Sequence, residues 1–183
     1  MLRMFIRLKD LEVRKLDFHE AFPPGAIDLG EDVRQVGTLD TKGRAEIVRE
    51  HEGRHVVEDI RLVGSFAGTV KASCARCLEP VEHKVSQSFD LLYRPLEAVR
   101  GDDVSISQAE TEIGYYSGDG IELEDILREQ ILLQVPLKTV CREDCKGLCP
   151  QCGKNRNFEN CDCEHTETDP RWSALRELKK DLQ

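Results

Sequence analysis

The stretch GTVKASCARCLEPVEHKVSQSFDLLY, residues 68–93, has the pattern of two β-strands joined by a short tip that holds a C-x2-C pair. Before the tip, apolar and polar residues alternate, so that Val70, Ala72 and Cys74 share one face. The pattern therefore predicts an antiparallel hairpin with Cys74 and Cys77 at its tip. After the tip, the second strand has polar interruptions at His83 and Gln87, and its predicted inward side chains are Val81, Val85, Phe89, Leu91 and Tyr93.

The same alternation begins upstream of this hairpin, in GRAEIVREHEGRHVVEDIRLVG at residues 43–64, where Glu52-Gly53 is a turn signal. Residues 35–93 together predict antiparallel strands. Because polar residues occupy every second position, one face of this sheet should pack on a core and the other should meet solvent.

Residues 121–136, IELEDILREQILLQVP, change to helical spacing. Acidic residues crowd the first turn, where they favour a helix start, and Pro136 ends the run. We expect this helix to cover the sheet, and we interpret the acidic segment at 95–112 before it as a loop. The predicted apolar stripe of the helix comprises Leu123, Ile126, Leu127, Gln130 and Ile131.

A short terminal helix is predicted to start at Asp169-Pro170, with the aspartate as N-cap and the proline as first helical residue. The predicted fold class is α+β: an antiparallel β-sheet or partly open barrel covered by a helix, followed by a cysteine-rich, zinc-ribbon-like module. We place the sheet domain at residues 1–140, and the metal-binding module with the terminal helix packed on it at residues 141–183. The stripe of the terminal helix is Trp172, Leu175, Leu178 and Leu182.

Composition limits the function classes. The chain has 183 residues and a formal net charge of −9, which argues against a protein that binds nucleic acid over its whole surface. Early charges at Arg3, Arg7 and Lys9 interrupt any signal peptide, and no stretch is apolar for long enough to span a membrane. We therefore expect a cytoplasmic protein without a membrane partner. In that reducing compartment, eight cysteines indicate metal ligands rather than disulfides.

The eight cysteines form four closely spaced pairs, and tetrahedral zinc is usually bound by two such pairs. The C-x2-C pair in CPQCG, at 149–153, has the turn chemistry of a zinc knuckle, because Gly153 can adopt the conformation that the turn needs. The simplest partition predicts two zinc ions per chain. One is held by Cys149, Cys152, Cys161 and Cys163, and the other by Cys74, Cys77, Cys141 and Cys145.

Two alternatives to this partition stay open. A single zinc could be held by a different choice of four cysteines, and His165, which follows Cys163 closely, could replace a cysteine as ligand. A thiol-redox role is the less favoured reading of the C-x2-C pairs, since redox pairs usually open a helix in a βαβ unit. No nucleophile motif, phosphate-binding glycine loop or pair of catalytic carboxylates is recognisable, so we predict that the chain is not an enzyme.

Three motifs together carry a family resemblance: SCARCLEPVEH at 73–83, ILLQVPLKTVCREDCKGLCPQCGKN at 131–155, and CDC with DPRWSALREL beyond it. In this order and spacing, residues 64–183 resemble the YceD family, the large ribosomal RNA subunit accumulation proteins. The resemblance implies a non-enzymatic role in ribosome biogenesis, with large-subunit ribosomal RNA or its precursor particle as partner. The cysteine pattern of the family falls on all eight cysteines of this chain.

Local basic side chains in the cysteine-rich segment are the candidate RNA contacts, and Asn155, Asn157 and Phe158 could add contacts to unpaired bases. Two other hypotheses remain. The charges could merely offset the thiolates, with Phe158 packed over the zinc site, or the protein could be an adaptor that binds a ribosomal protein or a processing enzyme. The candidate RNA-binding residues are Lys138, Arg142, Lys146, Lys154 and Arg156.

Overall fold

Three long antiparallel strands dominate the computed structural model, which describes residues 4–52, 55–98 and 113–163. Helices are few, and a short 3-10 helix spans Leu96–Ala98. The elements in chain order are β1 (Phe5–Arg7), α1 (Leu8–Val13), β2 (Leu16–Phe22), β3 (Val33–Gln35), β4 (Leu39–Glu52), β5 (His55–Ser73), β6 (Pro80–Pro95), β7 (Ile113–Tyr116), β8 (Gly120–Glu122) and α2 (Leu123–Gln134).

The main sheet has the strand order β2-β4-β5-β6-β7, with β3 also paired to β5. The two predicted strand pairings are present: β4 and β5 pair as far as Glu52 and His55, and β5 and β6 pair as far as Ser73 and Pro80. The sheet is not wholly antiparallel, because β7 runs parallel to β6. The α+β class is thus confirmed, with a mixed rather than a purely antiparallel sheet.

The core lies between this sheet and α2. It is formed largely by the strand and helix faces that the sequence predicts to be apolar. Val70 is fully buried and Ala72 is buried on β5, and Val85 and Phe89 are buried on β6. Full burial of one such apolar side chain contributes about 1.5–3 kcal/mol. The helix ends at Gln134, shortly before Pro136. It buries the five side chains that its sequence periodicity predicts: Leu123, Ile126, Leu127, Gln130 and Ile131.

Several short elements have no clear sequence signal. β1 pairs with β8, and the amide of Leu123 donates to the carbonyl of Met4 over 3.0 Å. The Glu124 side chain accepts from the Met4 amide over 3.1 Å. These contacts fix the N-terminal segment at the start of α2. The predicted terminal helix at 169–183 and most of the loop at 95–112 lie outside the described residues.

The end of the sheet opposite the C-x2-C tip contains a buried ion pair. Arg94 on β6 donates to both carboxylate oxygens of Asp59 on β5, over 3.1 and 2.9 Å. The side chain of Asp59 is 0% exposed and that of Arg94 is 7% exposed. Glu50 accepts a further bond of 2.8 Å from Arg94. A buried carboxylate with these partners depends on the guanidinium for compensation.

Replacing Arg94 by Leu leaves Asp59 buried without its counter-charge, so we expect a loss of about 3–5 kcal/mol in the free energy of unfolding. Urea denaturation measures this change. The matched control is Arg61→Leu, which removes the exposed pair with Asp90, N–O 2.6 Å, and should cost less than about 1 kcal/mol. Equal losses in the two variants would contradict the assignment of the Asp59–Arg94 pair as a structural anchor.

Candidate metal centre

The tip of the β5–β6 hairpin meets the segment that follows α2. The amide of Ala75 at the tip donates to the carbonyl of Thr139 over 2.8 Å. The Thr139 hydroxyl lies 3.3 Å from Nε2 of His83 on β6, and it also donates to the carbonyl of Pro136. These contacts direct the chain along the hairpin after the helix ends, and they place Cys141 beside the tip.

Four cysteines from the two segments converge there, and we call them the hairpin cluster: Cys74, Cys77, Cys141 and Cys145. Their sulfur atoms all lie within 4.8 Å of one another. Sγ of Cys74 is 4.0 Å from Sγ of Cys145, and Sγ of Cys77 is 3.6 Å from Sγ of Cys141. Three of the four are buried in a small core of their own, against the half-buried Val81, Val140 and Leu148.

The other four cysteines form the loop cluster: Cys149, Cys152, Cys161 and Cys163. Their sulfur atoms also lie within 4.8 Å of one another. Sγ of Cys161 is 3.5 Å from Sγ of Cys152 and 3.3 Å from Sγ of Cys149. Only Cys149 of the four is buried. The structure thus brings the eight cysteines together in the two groups that the spacing predicts, while His165 lies outside the described residues.

The two C-x2-C turns share one hydrogen-bonding scheme. At the hairpin tip, the amide of Cys74 donates to the carbonyl of Glu79 and the amide of Leu78 donates to that of Cys74, both over 2.9 Å. In the loop, the amide of Cys149 donates to the carbonyl of Lys154 over 2.8 Å and that of Gly153 to Cys149 over 2.9 Å. The residue after the second cysteine has a positive φ in both turns, 62° at Leu78 and 72° at Gly153. Both turns therefore have the same backbone geometry, in which a single turn brings two cysteines close together.

Backbone amides point at the sulfur atoms. Cys74 Sγ accepts from the amide of Cys141 over 3.4 Å, and Cys149 Sγ accepts from the amides of Gln151 and Cys152 over 3.4 Å. Hydrogen bonds from backbone amides, chiefly that of Arg76, lower the pKa of Cys74 to about 6. Backbone hydrogen bonds, chiefly from Cys152, likewise lower the pKa of Cys149 to about 6. Each cluster consequently stabilises a thiolate, which is the form that binds metal.

The spacing of the sulfur atoms fits one ion per cluster. A tetrahedral zinc with bonds of about 2.3 Å needs sulfur atoms about 3.8 Å apart. The four separations given above, 3.3 to 4.0 Å, lie on both sides of this value, and every pair in a cluster lies within 4.8 Å. All four are far too long for disulfide bonds, which are about 2.05 Å. The donor set and its geometry suit a soft divalent ion such as zinc, with no carboxylate in either group.

Arg76 and Gly147 hold the two clusters against each other. The Arg76 side chain donates to the carbonyls of Glu143 and Cys145 over 2.9 and 3.0 Å, and its own carbonyl accepts from the amide of Leu148 over 2.9 Å. A Cβ on Gly147 would lie 2.9 Å from the Arg76 carbonyl oxygen, and φ there is +72°. Only glycine allows this close approach without strain.

The predicted RNA-contact residues are all exposed, but they differ in how far they bind other groups of the protein. Arg142 donates to Oδ1 of Asn157 over 2.9 Å and lies 3.4 Å from Asp144, so part of its role is internal. The sequence suggested Asn155 and Asn157 as base contacts, but their side-chain amides donate hydrogen bonds to other groups of the protein. Phe158 is 74% exposed and does not cover the cluster. The five basic residues are Lys138, Arg142, Lys146, Lys154 and Arg156.

Sequence reasoning missed the roles of Arg76, Leu78 and Asn157. One signal was available: aligning CARCLE with CPQCGK places Leu78 at the position of Gly153. A leucine at positive φ costs about 1–2 kcal/mol, and this one is 63% exposed, so packing offers little compensation.

Exchanging these two residues tests the equivalence of the turns. Leu78→Gly should raise the free energy of unfolding by about 0.5–1 kcal/mol, because it removes backbone strain at a smaller entropic cost. Gly153→Leu should lower it by about 1–2 kcal/mol, since a Cβ there meets nothing within 4 Å and only the φ value is unfavourable. Urea denaturation of the metal-loaded protein reports both changes.

The control for this exchange is Leu137→Gly, an exposed leucine outside the positive-φ region. It should destabilise by up to about 1 kcal/mol, as glycine normally does. A Leu78→Gly variant that loses stability like the control would contradict the strained turn.

Comparison with known proteins gives relatives of similar sequence. The chain is 33% identical over 123 residues to an uncharacterized protein of Mycobacterium tuberculosis, covering 67% of this chain and 57% of that protein. It is 28% identical over 155 residues to the Bacillus subtilis protein YlbN, covering 83% and 80% of the two chains. It thus spans little more than half the length of the mycobacterial relative.

A third relative has a functional name. The large ribosomal RNA subunit accumulation protein YCED homolog 1, chloroplastic, of Arabidopsis thaliana is 25% identical over 146 residues, covering 68% of this chain and 46% of that protein. No solved structure gives a significant match. The family model described as large ribosomal RNA subunit accumulation protein YceD matches residues 62–179, a range that contains both cysteine clusters. The chain therefore belongs to the YceD family.

Proposed function

We propose that the chain is a non-enzymatic ribosome-biogenesis factor that supports accumulation of large-subunit ribosomal RNA and holds two structural zinc ions. The observation that carries this proposal is the family match at 62–179, which contains both clusters. The names of the plant relatives refer to accumulation of large ribosomal subunit RNA. We extend that role to this chain.

Each zinc ion would be bound by four thiolates and by no other ligand. Cys149, Cys152, Cys161 and Cys163 would hold one ion, and Cys74, Cys77, Cys141 and Cys145 the other. Four thiolates leave no coordination position for water or substrate, which supports a structural rather than a catalytic ion. Zinc of this kind stabilises folded segments that have little apolar core of their own.

In this proposal, residues 141–183 form a zinc-ribbon-like module attached to a sheet domain at 1–140. The hairpin cluster joins the two, because two of its sulfur atoms come from the β5–β6 tip and two from the module. Residues after Cys163, with the predicted terminal helix, lie outside the described part of the chain.

The partner that we propose is large-subunit ribosomal RNA or its precursor particle, met in the cytoplasm. Its contact surface is the exposed side of the metal module, where the side chains of Lys146, Lys154 and Arg156 are exposed, as is the ring of Phe158. An aromatic ring on a rigid turn can stack on an unpaired base, and cations beside it can meet phosphates. Lys138 and Arg142 extend the same basic segment.

Electrostatics limits this surface to a few phosphates. Two zinc ions with eight thiolates carry a formal charge of −4, against five basic side chains in the segment. Because the nearby cations partly offset the thiolates, the contact should be local and strongly dependent on salt.

A protein adaptor is the second candidate function, and one observation favours it. Leu133 at the end of α2 and Leu137 after it are exposed, at 69% and 109% of their reference areas. Apolar side chains close together in sequence can form part of a protein-binding patch, for instance for a ribosomal protein or a processing enzyme.

Metal analysis tests the first part of the proposal. Elemental mass spectrometry on untagged protein should give two zinc per chain, and the double variant Cys152→Ser/Cys161→Ser should retain one. A matched change outside the clusters, Ser86→Ala/Ser88→Ala on β6, should leave the ratio at two. Protein without metal, with eight reactive thiols, would contradict the proposal and favour thiol-redox chemistry.

Charge reversal tests the RNA contact. Lys154→Glu/Arg156→Glu should weaken co-sedimentation with large-subunit precursors by roughly tenfold, because two phosphate contacts become repulsive, and should lower the salt dependence of binding. The control, Lys9→Glu on α1 with Arg14→Glu at the residue that follows this helix, makes the same charge change in the sheet domain.

The two partner classes are separated by ribonuclease treatment. Loss of association after treatment, together with the effect of the charge reversal, supports RNA contact. Association that survives both ribonuclease and charge reversal would show that the basic surface does not bind the partner, and it would favour the adaptor.

A further inference from the structure

Asn157 belongs to the loop between the two arms of the loop cluster, but its side chain reaches the hairpin cluster. Its Nδ2 donates to Sγ of Cys145 over 3.4 Å and to Oδ1 of Asn155 over 2.8 Å. Its Oδ1 accepts from the backbone amide of Lys146 and from the Arg142 guanidinium, both over 2.9 Å. All four hydrogen-bonding positions of the amide are therefore used.

The orientation of this amide is determined by its partners. The Lys146 amide and the Arg142 guanidinium can only donate, so they must face the oxygen of Asn157. The nitrogen must consequently face the Cys145 sulfur. Donation to a sulfur favours its thiolate form, and burial of Cys145 opposes it. The geometry therefore gives the Cys145 sulfur one hydrogen-bond donor from the loop between the two arms of the loop cluster.

Backbone contacts join the Asn157 loop to the hairpin cluster as well. The amide of Arg156 donates to the carbonyl of Gly147 over 3.0 Å, and Leu148 forms a β-bridge with Asn155. The side chain of Asn155 in turn donates to Glu79 beside the C-x2-C tip, over 3.3 Å. The position of Asn157 thus depends on how the whole loop is held.

We propose that Asn157 is a positioning residue that couples the two metal sites: an ion in the loop cluster orders the loop and presents the Asn157 amide to Cys145, which raises the affinity of the hairpin cluster for its own ion. This inference rests on the proposed function, because it requires both clusters to bind metal.

The physical reason is that both metal sites depend on the same loop, so the free-energy cost of ordering that loop is shared between them. Between Cys152 and Cys161 the loop contains turns but no helix or strand, and most of its residues are exposed. An ion bound by both arms of the loop cluster supplies the ordering, so the hairpin cluster no longer bears that cost. Linkage requires the effect to be reciprocal: an ion in the hairpin cluster must raise the affinity of the loop cluster by the same factor.

The variant that tests this is Asn157→Asp. It keeps the shape of the side chain and the oxygen that accepts from Lys146 and Arg142, but it turns the sulfur-facing donor into a carboxylate oxygen. A negative oxygen beside the Cys145 thiolate is repulsive. The matched control is Asn160→Asp, the same charge change at an exposed position of the same loop.

The experiment is a zinc titration of the metal-free full chain in a competing chelator, with native mass spectrometry counting the ions bound to each molecule. In the unaltered protein and in Asn160→Asp, we expect mainly chains with no zinc or two zinc at half-saturation. In Asn157→Asp, the one-zinc form should accumulate, with the hairpin cluster weakened about 10- to 100-fold.

A second measurement identifies the coupling. Emptying the loop cluster with Cys152→Ser/Cys161→Ser should weaken zinc binding at the hairpin cluster by a similar factor, and adding Asn157→Asp to that variant should weaken it little further. Chemical shifts of the β4 and β5 amides serve as the check that the sheet stays folded.

The outcomes separate this inference from the function on which it rests. Two zinc ions that bind independently, unaffected by Asn157→Asp or by loss of the loop cluster, would overturn the coupling and leave the two sites intact. Failure of both clusters to bind zinc would overturn the sites and the coupling together.

Discussion

The convergence of four sulfur atoms at the tip of the β5–β6 hairpin is the constraint on which the C-terminal half of the described chain depends. Sγ of Cys77 and Sγ of Cys141 lie 3.6 Å apart although the residues are far apart in sequence. The Thr139–Ala75 hydrogen bond and the end of α2 before Pro136 bring the later segment to this point. Because Cys149 follows closely, the position of the loop cluster is set by the hairpin cluster. A protein of this size has a core large enough to fold, yet the described loops beyond α2 contribute little apolar surface to it, so the metal–sulfur bonds that we propose would add to the hydrogen bonds that order them.

The two C-x2-C turns have the same backbone geometry in two different environments. The backbone bonds are the same at Cys74 and Cys149, and so is the positive φ at Leu78 and Gly153. The turn at the hairpin tip is fixed by a β-sheet on both sides, which lets it tolerate a leucine where the free loop uses glycine. The exposed Phe158 follows the second of these turns in the chain, and an exposed side chain on an ordered loop loses little freedom when it meets a partner, which supports the binding role that we propose for this segment.

Local patterns predicted much of the fold. The stripe from Leu123 to Ile131 and the alternation along β5 and β6 depend on neighbouring residues alone. The structure buries the whole helix stripe, and on β6 it buries Val85 and Phe89 and leaves the other predicted inward residues half-buried: Val81, Leu91 and Tyr93. The β1–β8 pair, by contrast, joins two short strands from distant parts of the chain, and β7 pairs parallel to β6 after a long connection. Neither contact leaves a periodic signal. The roles of Asn157 and Arg76 were hidden for a related reason: a single polar residue acquires its partners only when the fold is formed.

Zinc K-edge X-ray absorption on the purified, untagged chain tests the central claim most directly, because it reports the ligands of each bound ion. The account predicts that every zinc has four sulfur neighbours at about 2.3 Å and no lighter neighbour, for two ions per chain. A nitrogen or oxygen neighbour at about 2.0 Å, from His165 or from water, would contradict the two four-thiolate sites.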